Sequence, residues 1–343
     1  MRKAIALATL TILGWVSAER YSPQTKHPSL ARFEYVQSQM GTQFRIVCYA
    51  AQEESAERAT AAAFHRIAKL NDTMSDYAPN SELRQLCAQA GGPAMDVSED
   101  LFHVLRLSQE LAVLSDGAFD VTAGPVVQLW RRARRQRALP DPIRLQRALN
   151  LVGYSDLVLD TGHRRVTLSK QGMQLDLGGI AKGYAADEAL RTLHMHGMDR
   201  ALVAAGGDIV VGAPPPGKSG WKIGIAPLET PERGPKVFLE LHNAAVSTSG
   251  DAEQYLEIQG QRYSHIVDPR TGMAVPGRSS VTVVAERGAD SDPLATAVSV
   301  LGPGEGIRLV DSRRDAACWI QVEEGNKIRA FSSKRWTQIK KVN

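Results

Sequence analysis

The residues best suited to chemistry open with Gln174–Asp187, QLDLGGIAKGYAAD, where a short apolar run, a Gly-Gly pair and a helical pattern follow one another without a spacer. That order spells a strand, a tight turn and a helix start. Gly178 and Gly179 carry no side chain, so the backbone can take positive φ and let a ligand come close, while the free N–H groups of the following helix favour an anion. Lys182 adds a positive charge one turn in. An ordinary strand-to-helix connection with a solvated lysine fits the same letters. Two better-known phosphate loops are excluded: Gly178, Gly179 and Gly183 do not match G-x-G-x-x-G, and no G-x-x-x-x-G-K-[ST] occurs. Asp292 and Thr296 form a second candidate, a carboxylate and a hydroxyl at i and i+4 on one helix face. Asp292 followed by Pro293 also reads as an N-cap with Pro at N1. A third candidate, His265-Ile266-Val267-Asp268-Pro269-Arg270-Thr271-Gly272, ends a strand in a turn around an exposed arginine, with His265 also readable as a satisfied core imidazole. Asp116-Gly117-Ala118-Phe119-Asp120 sets an aromatic between carboxylates, and Met40-Gly41-Thr42 puts a glycine between two strands.

The elements that must position these residues follow from periodicity and punctuation. Strands over 33–39 and 43–49 flank Met40-Gly41-Thr42. Ala56, Thr60, Ala63, Phe64, Ile67 and Leu70 share a helical face and predict an amphipathic helix over 53–70. Pro79 and Asn80 break the period, a second helix starts after Ser81, and Ser98 caps a third that runs to the Asp116-Gly117 turn. Pro125, Pro140 and Pro142 cut 122–151 into separate helical pieces. Short β runs at 157–160, 165–169, 173–177, 201–204, 208–212, 221–225, 237–241, 253–259 and 262–267 then surround one helix, 181–196, and 280–335 reads strand, helix, helix, strand, strand. The expected class is α+β (mixed α/β), with helices clustered in the N-terminal half and strands in the C-terminal half.

Met1–Lys3 is basic, Ala4–Val16 is apolar and Val16-Ser17-Ala18 offers small residues to a peptidase, the pattern of a secretory signal peptide over 1–18. The apolar run is shorter than the roughly 20 residues of a spanning helix. Export to the periplasm with cleavage near Glu19 is expected. Residues 19–32, with Pro23 and Pro28, read as a linker, and 33–343 as the folded unit, with room for two subdomains divided near 150–175. Three cysteines are too few for a disulfide framework; Cys48 reads as a buried thiol, and whether Cys87 and Cys318 pair is open. The net charge is +4, from 41 basic and 37 acidic residues, yet Arg131, Arg132, Arg134, Arg135 and Arg137 crowd one segment. Without interleaved aromatics that run reads as a solvated helix face rather than a nucleic-acid site.

The order of short stretches M-G-T, M-S-x-Y-x-x-x-S, D-G-A-F-D, D-L-G-G-I-A-K-G-Y, A-G-G-D, S-T-S-G, H-I-V-D-P-x-T-G and D-x-L-A-T-A resembles that of the ApbE family of FAD:protein FMN transferases, from about Phe33 to the C-terminus. The resemblance implies an ApbE-like fold and flavin contacts at Met40, Tyr77, Ala118, Phe119, Asp120, Asp176, Lys182 and Ile266. It implies Mg²⁺ ligands at Asp292, Thr296 and the carbonyls of Gly179 and Ala295. Pro293 departs from the Ala or Gly more usual after this aspartate. The oxygen donors suit Mg²⁺ or Ca²⁺ and exclude a thiolate zinc site. The implied reaction moves the FMN half of FAD onto a Thr or Ser hydroxyl of an exported or membrane-bound acceptor flavoprotein and releases AMP. His265 is the expected base, because imidazole titrates nearest neutrality, with Asp268 and Asp208 in reserve. An FAD pyrophosphatase and a flavin-binding protein without turnover are the alternatives.

Overall fold

The computed structural model describes residues 29–228, 234–250, 255–325 and 327–342. The signal peptide and most of the linker expected from the sequence lie outside them. The N-terminal half holds β1 (Ala31–Gln39), β2 (Thr42–Ala50), α1 (Glu53–Met74), α2 (Glu82–Ala88), β3 (Met95–Asp96), α3 (Glu99–Leu114), α4 (Gly124–Gln136), α5 (Pro142–Leu149), β4 (Leu157–Asp160) and β5 (Arg165–Leu168). After α6 (Ala181–Met195) come β6 (Ala201–Ala205), β7 (Asp208–Val211), β8 (Trp221–Ile225), β9 (Val237–Leu241), β10 (Ala244–Gly250), β11 (Tyr255–Ile258), β12 (Gln261–Val267), β13 (Ala274–Pro276) and β14 (Ser279–Ala285). The chain closes with α7 (Gly288–Ser312), β15 (Ala317–Glu324), β16 (Lys327–Ser332) and β17 (Lys341–Val342).

Eight strands form an antiparallel sheet in the order β1-β2-β6-β7-β10-β14-β15-β16. Alternation along β2 shows how it is covered. Phe44, Ile46, Cys48 and Ala50 enter the main core under α1, α6 and α7, whereas Val47 and Tyr49 face a second core built with β8, β9 and Trp336. A third cluster joins Val126, Trp130 and Ala133 of α4 to Ala148 of α5 and to Leu256, Val267 and Ala274 of β11–β13. The β1–β2 hairpin turns through Met40 and Gly41, both at positive φ (49° and 73°), the geometry of a two-residue hairpin turn. Ser81 and Ser98 cap α2 and α3 by accepting from the Arg84 and Leu101 N–H groups.

Several expectations need correction. Residues 173–177 are not a sheet strand. Met173, Leu175 and Leu177 do alternate into the core, but the segment makes one isolated bridge, Gln174 to Ala123, and Asp176 N–H donates to Val121 O at 2.8 Å. Asp292 is no N-cap: α7 begins at Gly288, and Asp187 of α6 caps it by accepting from the Gly288 and Ala289 N–H groups at 2.7 and 2.8 Å. Pro293 thus sits inside the helix, which bends into two at Gly302 (φ 71°). Cys48, Cys87 and Cys318 are all buried and unpaired, and burial pushes their thiols up.

Helices α6 and α7 touch backbone to backbone. A Cβ on Gly183 would fall 2.1 Å from Gly288 O, and one on Gly288 would fall 2.4 Å from Gly183 O. Gly183→Ala is therefore expected to force the helices apart and to cost about 1–3 kcal/mol, the range for overpacking a closed interior. Urea unfolding would check this, and an unchanged midpoint would mean that the contact is not tight.

Candidate active site

The Gly-Gly turn connects 173–177 to α6, which packs on β6 and β7 of the main sheet and against α1 and α7. This places Lys182 where three elements meet. Its Nζ donates to Gly178 O at 2.9 Å and stands 3.1 Å from Asp208 Oδ2 on β7 and 3.3 Å from Asp292 Oδ2 on α7. Both carboxylates are buried, at 3% exposure each. Burial opposes the lysine's charge, but Asp208 and Asp292 outweigh it and raise its pKa. Burial, then the charge of Asp208, pushes Asp292 up to about 7, while Lys182 and the Gly183 N–H, which donates to Oδ2 at 3.1 Å, work the other way.

Around this ion triad the other motifs close in. A Cβ on Gly179 would meet Thr296 Oγ1 at 3.1 Å and Phe119 Cε2 at 3.3 Å, so glycine leaves the backbone open to Thr296 and to a ring. A Cβ on Gly207 would fall 2.7 Å from Thr248 O and one on Gly206 3.2 Å from Thr42 Oγ1, which brings A-G-G-D, S-T-S-G and M-G-T to the same edge as Asp208. Beside Asp292, Ser291 shares a 2.7 Å hydrogen bond with Ser247. Gly117 faces Arg270 and Tyr154, at the mouth of a pocket of about 240 Å³ that Asp116, Asp120, Val152 and Pro269 help to line. Asp120 is buried and accepts from the Thr122 N–H and hydroxyl at 2.8 and 2.7 Å; burial raises its pKa.

His265 and Ile266 lie on β12, half-buried and buried, in a strand that packs against α7 and α4. Asp268 is spent on Arg270: its Oδ1 and Oδ2 accept from Nε and Nη2 at 2.9 Å, and Oδ1 also accepts the Arg270 N–H. Ala118 is buried behind Phe119, and Met40 stands at the tip of the first hairpin. Ala295 is buried, and its carbonyl already accepts the Ser299 hydroxyl at 2.8 Å. Asp292 lies inside the protein.

One site residue escaped the sequence reading. Arg131 does not lie on a solvated face: it donates to Asp76 and, at 2.6 Å, to Asp176 Oδ2, and its guanidinium lies 4.8 Å from the centre of the Tyr77 ring. Asp176 in turn accepts the Gly178 N–H at 2.8 Å. Tyr77 is 74% exposed, so its free face is open to a planar ligand. Burial works to raise the Asp176 pKa, against Arg131. Arg131→Met is expected to leave Asp76 and Asp176 facing each other without a cation, to cost about 3 kcal/mol of stability and to loosen Tyr77. Thermal melts and flavin titration would check it; an unaltered melt would make the pair a surface ornament.

A lysine clasped by two buried carboxylates lies next to a glycine turn, a helix start and a helix-borne Asp/Thr pair, an arrangement that can set a phosphate-bearing ligand against hard oxygens. Known proteins narrow it. The profile of the ApbE family matches residues 40–320. A FAD:protein FMN transferase of Treponema pallidum is 36% identical over 237 residues, 65% of this chain and 66% of that one. Another, of Haemophilus influenzae, is 32% identical over 79% of this chain and 80% of its own. The solved flavin transferase ApbE of Vibrio cholerae superposes with a TM-score of 0.82 at 25% identity, covering 91% of this chain and all of that one. The chain belongs to the ApbE family, and it is a transferase enzyme.

Proposed function

We propose that this chain transfers the FMN half of FAD onto a threonine or serine hydroxyl of an acceptor flavoprotein and releases AMP. The observation that carries the reading is Lys182, held between Asp208 and Asp292 beside the Gly178-Gly179 turn. The names of the relatives support the same chemistry.

Mg²⁺ fits the residues present. All hydrogen bonds of the Asp292 carboxylate end on Oδ2, and Thr296 Oγ1 donates to Asp292 O at 3.3 Å, which leaves its lone pairs outward. Asp292, Thr296 and the carbonyl of Gly179 would hold the ion, with that of Ala295 as the fourth, shared donor. Bound there, Mg²⁺ supplies charge neutralisation for a pyrophosphate and its leaving group.

The protein's own groups do the rest. The acceptor oxygen forms a bond to the riboflavin-side phosphorus, the bond from that phosphorus to the bridging oxygen breaks, and AMP leaves with the electron pair. Lys182 offsets phosphate charge, whereas the Ala181 and Gly183 N–H groups at the start of α6 are already bonded to Leu177 O and Asp292 Oδ2. Phe119 and Tyr77 flank planar rings, and Arg131 fixes Tyr77 and Asp176. His265 takes the hydroxyl proton, because imidazole is the side chain that titrates nearest neutrality, with Asp268 and Asp208 in reserve. The leader-like Ala4–Val16 supports a periplasmic location and an exported acceptor.

The test is AMP release from FAD and Mg²⁺ with and without an exported flavoprotein. AMP that appears only with the acceptor is the expected result. Rapid FMN and AMP release without it would favour a pyrophosphatase, and FAD retained one-to-one with no AMP a binding protein.

A further inference from the structure

The outer faces of α4 and α5 carry arginines without an ion pair among the described residues. From Arg131 to Asn150 the chain has seven arginines and one acid, Asp141, whose carboxylate caps α5 by accepting the Arg144 N–H at 2.9 Å. Arg131 serves the site, and Arg134 is half-buried. Arg132, Arg135, Arg137, Arg144 and Arg147 are exposed, and none of them has an ion pair among the described residues. The opposite faces of both helices are fixed in the third core cluster by Trp130, Ala133 and Ala148, so the basic side is turned outward. Where the chain passes from one helix to the other, Leu139 and Ile143 stand 47% and 65% exposed amid the arginines.

We propose that this ridge is a docking surface for an anionic phospholipid membrane. Guanidinium groups pair with phosphate oxygens in two-pronged fashion, and each basic side chain near an anionic bilayer adds to the attraction. The two apolar side chains select the occupant. A soluble acidic polypeptide satisfies the arginines alone, whereas a bilayer also takes Leu139 and Ile143 into the boundary between headgroups and acyl chains. No helix among the described residues is long and apolar enough to cross a membrane, and the ridge makes a surface contact. Arg131 ties the ridge to Asp76 and Asp176, so, on the flavin reading proposed above, docking sets Asp176 and Tyr77 beside the lipid surface.

The experiment is co-sedimentation of the full chain with vesicles of mixed phosphatidylglycerol and phosphatidylcholine, with vesicles of phosphatidylcholine alone, and binding to soluble polyglutamate. Preference for the anionic vesicles is expected. In Arg132→Gln/Arg135→Gln/Arg137→Gln it should fall about a hundredfold, from roughly fivefold for each charge. Leu139→Ser/Ile143→Ser should weaken vesicle binding roughly tenfold and leave polyglutamate binding unchanged. Thermal melts confirm folding, and Arg144→Gln/Arg147→Gln tests the same face if the triple variant melts early. Equal binding to both kinds of vesicle, or arginine variants that bind as the parent does, would overturn the proposal. A Leu139→Ser/Ile143→Ser variant with parental vesicle affinity would also overturn it and point to an acidic polypeptide.

Discussion

Asp292→Ala is expected to lower turnover by about three decades or more. The substitution removes a hard oxygen from the candidate cation site and one of the two carboxylates that hold Lys182. Losing metal-centred stabilisation of a transferring phosphoryl group costs several kcal/mol of barrier. It also leaves the buried Gly183 N–H without its acceptor, a loss of about 1–3 kcal/mol of stability. AMP release measured across a Mg²⁺ titration separates the two effects, because a folding defect lowers the active fraction equally at every Mg²⁺ concentration. A variant with near-parental rate at saturating Mg²⁺ would remove Asp292 from the site. Thr296→Val deletes a single hydroxyl and should give a milder version of the same Mg²⁺ dependence.

Lys182→Met should weaken FAD binding by about 1.5–3 kcal/mol, the range for a hydrogen bond to a charged group. It keeps most of the stem's packing and removes the charge between Asp208 and Asp292. Two buried carboxylates then face each other without a cation, which should cost about 3 kcal/mol of stability near neutral pH. The pH dependence has a definite sign. Asp292 already has a raised folded-state pKa, so its contribution is fully present below the ordinary aspartate range and is lost as pH rises toward about 7. Without Lys182 that pKa rises further, and the fall in melting temperature between the ordinary aspartate range and neutrality should steepen. Melts across that window, with flavin fluorescence titrations alongside, read both effects. A variant whose FAD affinity and pH profile match the parent's would mean that Lys182 is a bystander.

Much of this site is local in sequence, which is why it was legible there. The Gly178-Gly179 turn, the start of α6 and the two-residue hairpin at Met40-Gly41 are decided by neighbouring residues, and the break at Gly302 announces itself through Gly302-Pro303-Gly304. The partners of Lys182 are not local. Asp208 lies 26 residues on and Asp292 a further 84, and only the placement of β7 and α7 around α6 brings them together. Arg131 was hidden by its company: five arginines in a row of seven residues look alike as charge, and only the fold distinguishes the one turned toward Asp76 and Asp176. Residues 173–177 misled for a related reason. Alternating burial is what a strand shows, but Leu175 N–H spends itself on Cys87 Sγ and Asp176 N–H on Val121 O, so no ladder forms. The α7 start was misplaced because its cap comes from Asp187, on another helix.

Transfer of an FMN group onto a protein hydroxyl leaves the acceptor with added mass. Intact-mass and peptide mass spectrometry of exported flavoproteins, co-expressed with and without this chain, tests it most directly. An acceptor heavier by one FMN, carried on a threonine or serine, is expected with the parent chain and not with Asp292→Ala. Acceptors of unmodified mass beside an active parent chain that converts FAD to free FMN and AMP would contradict it.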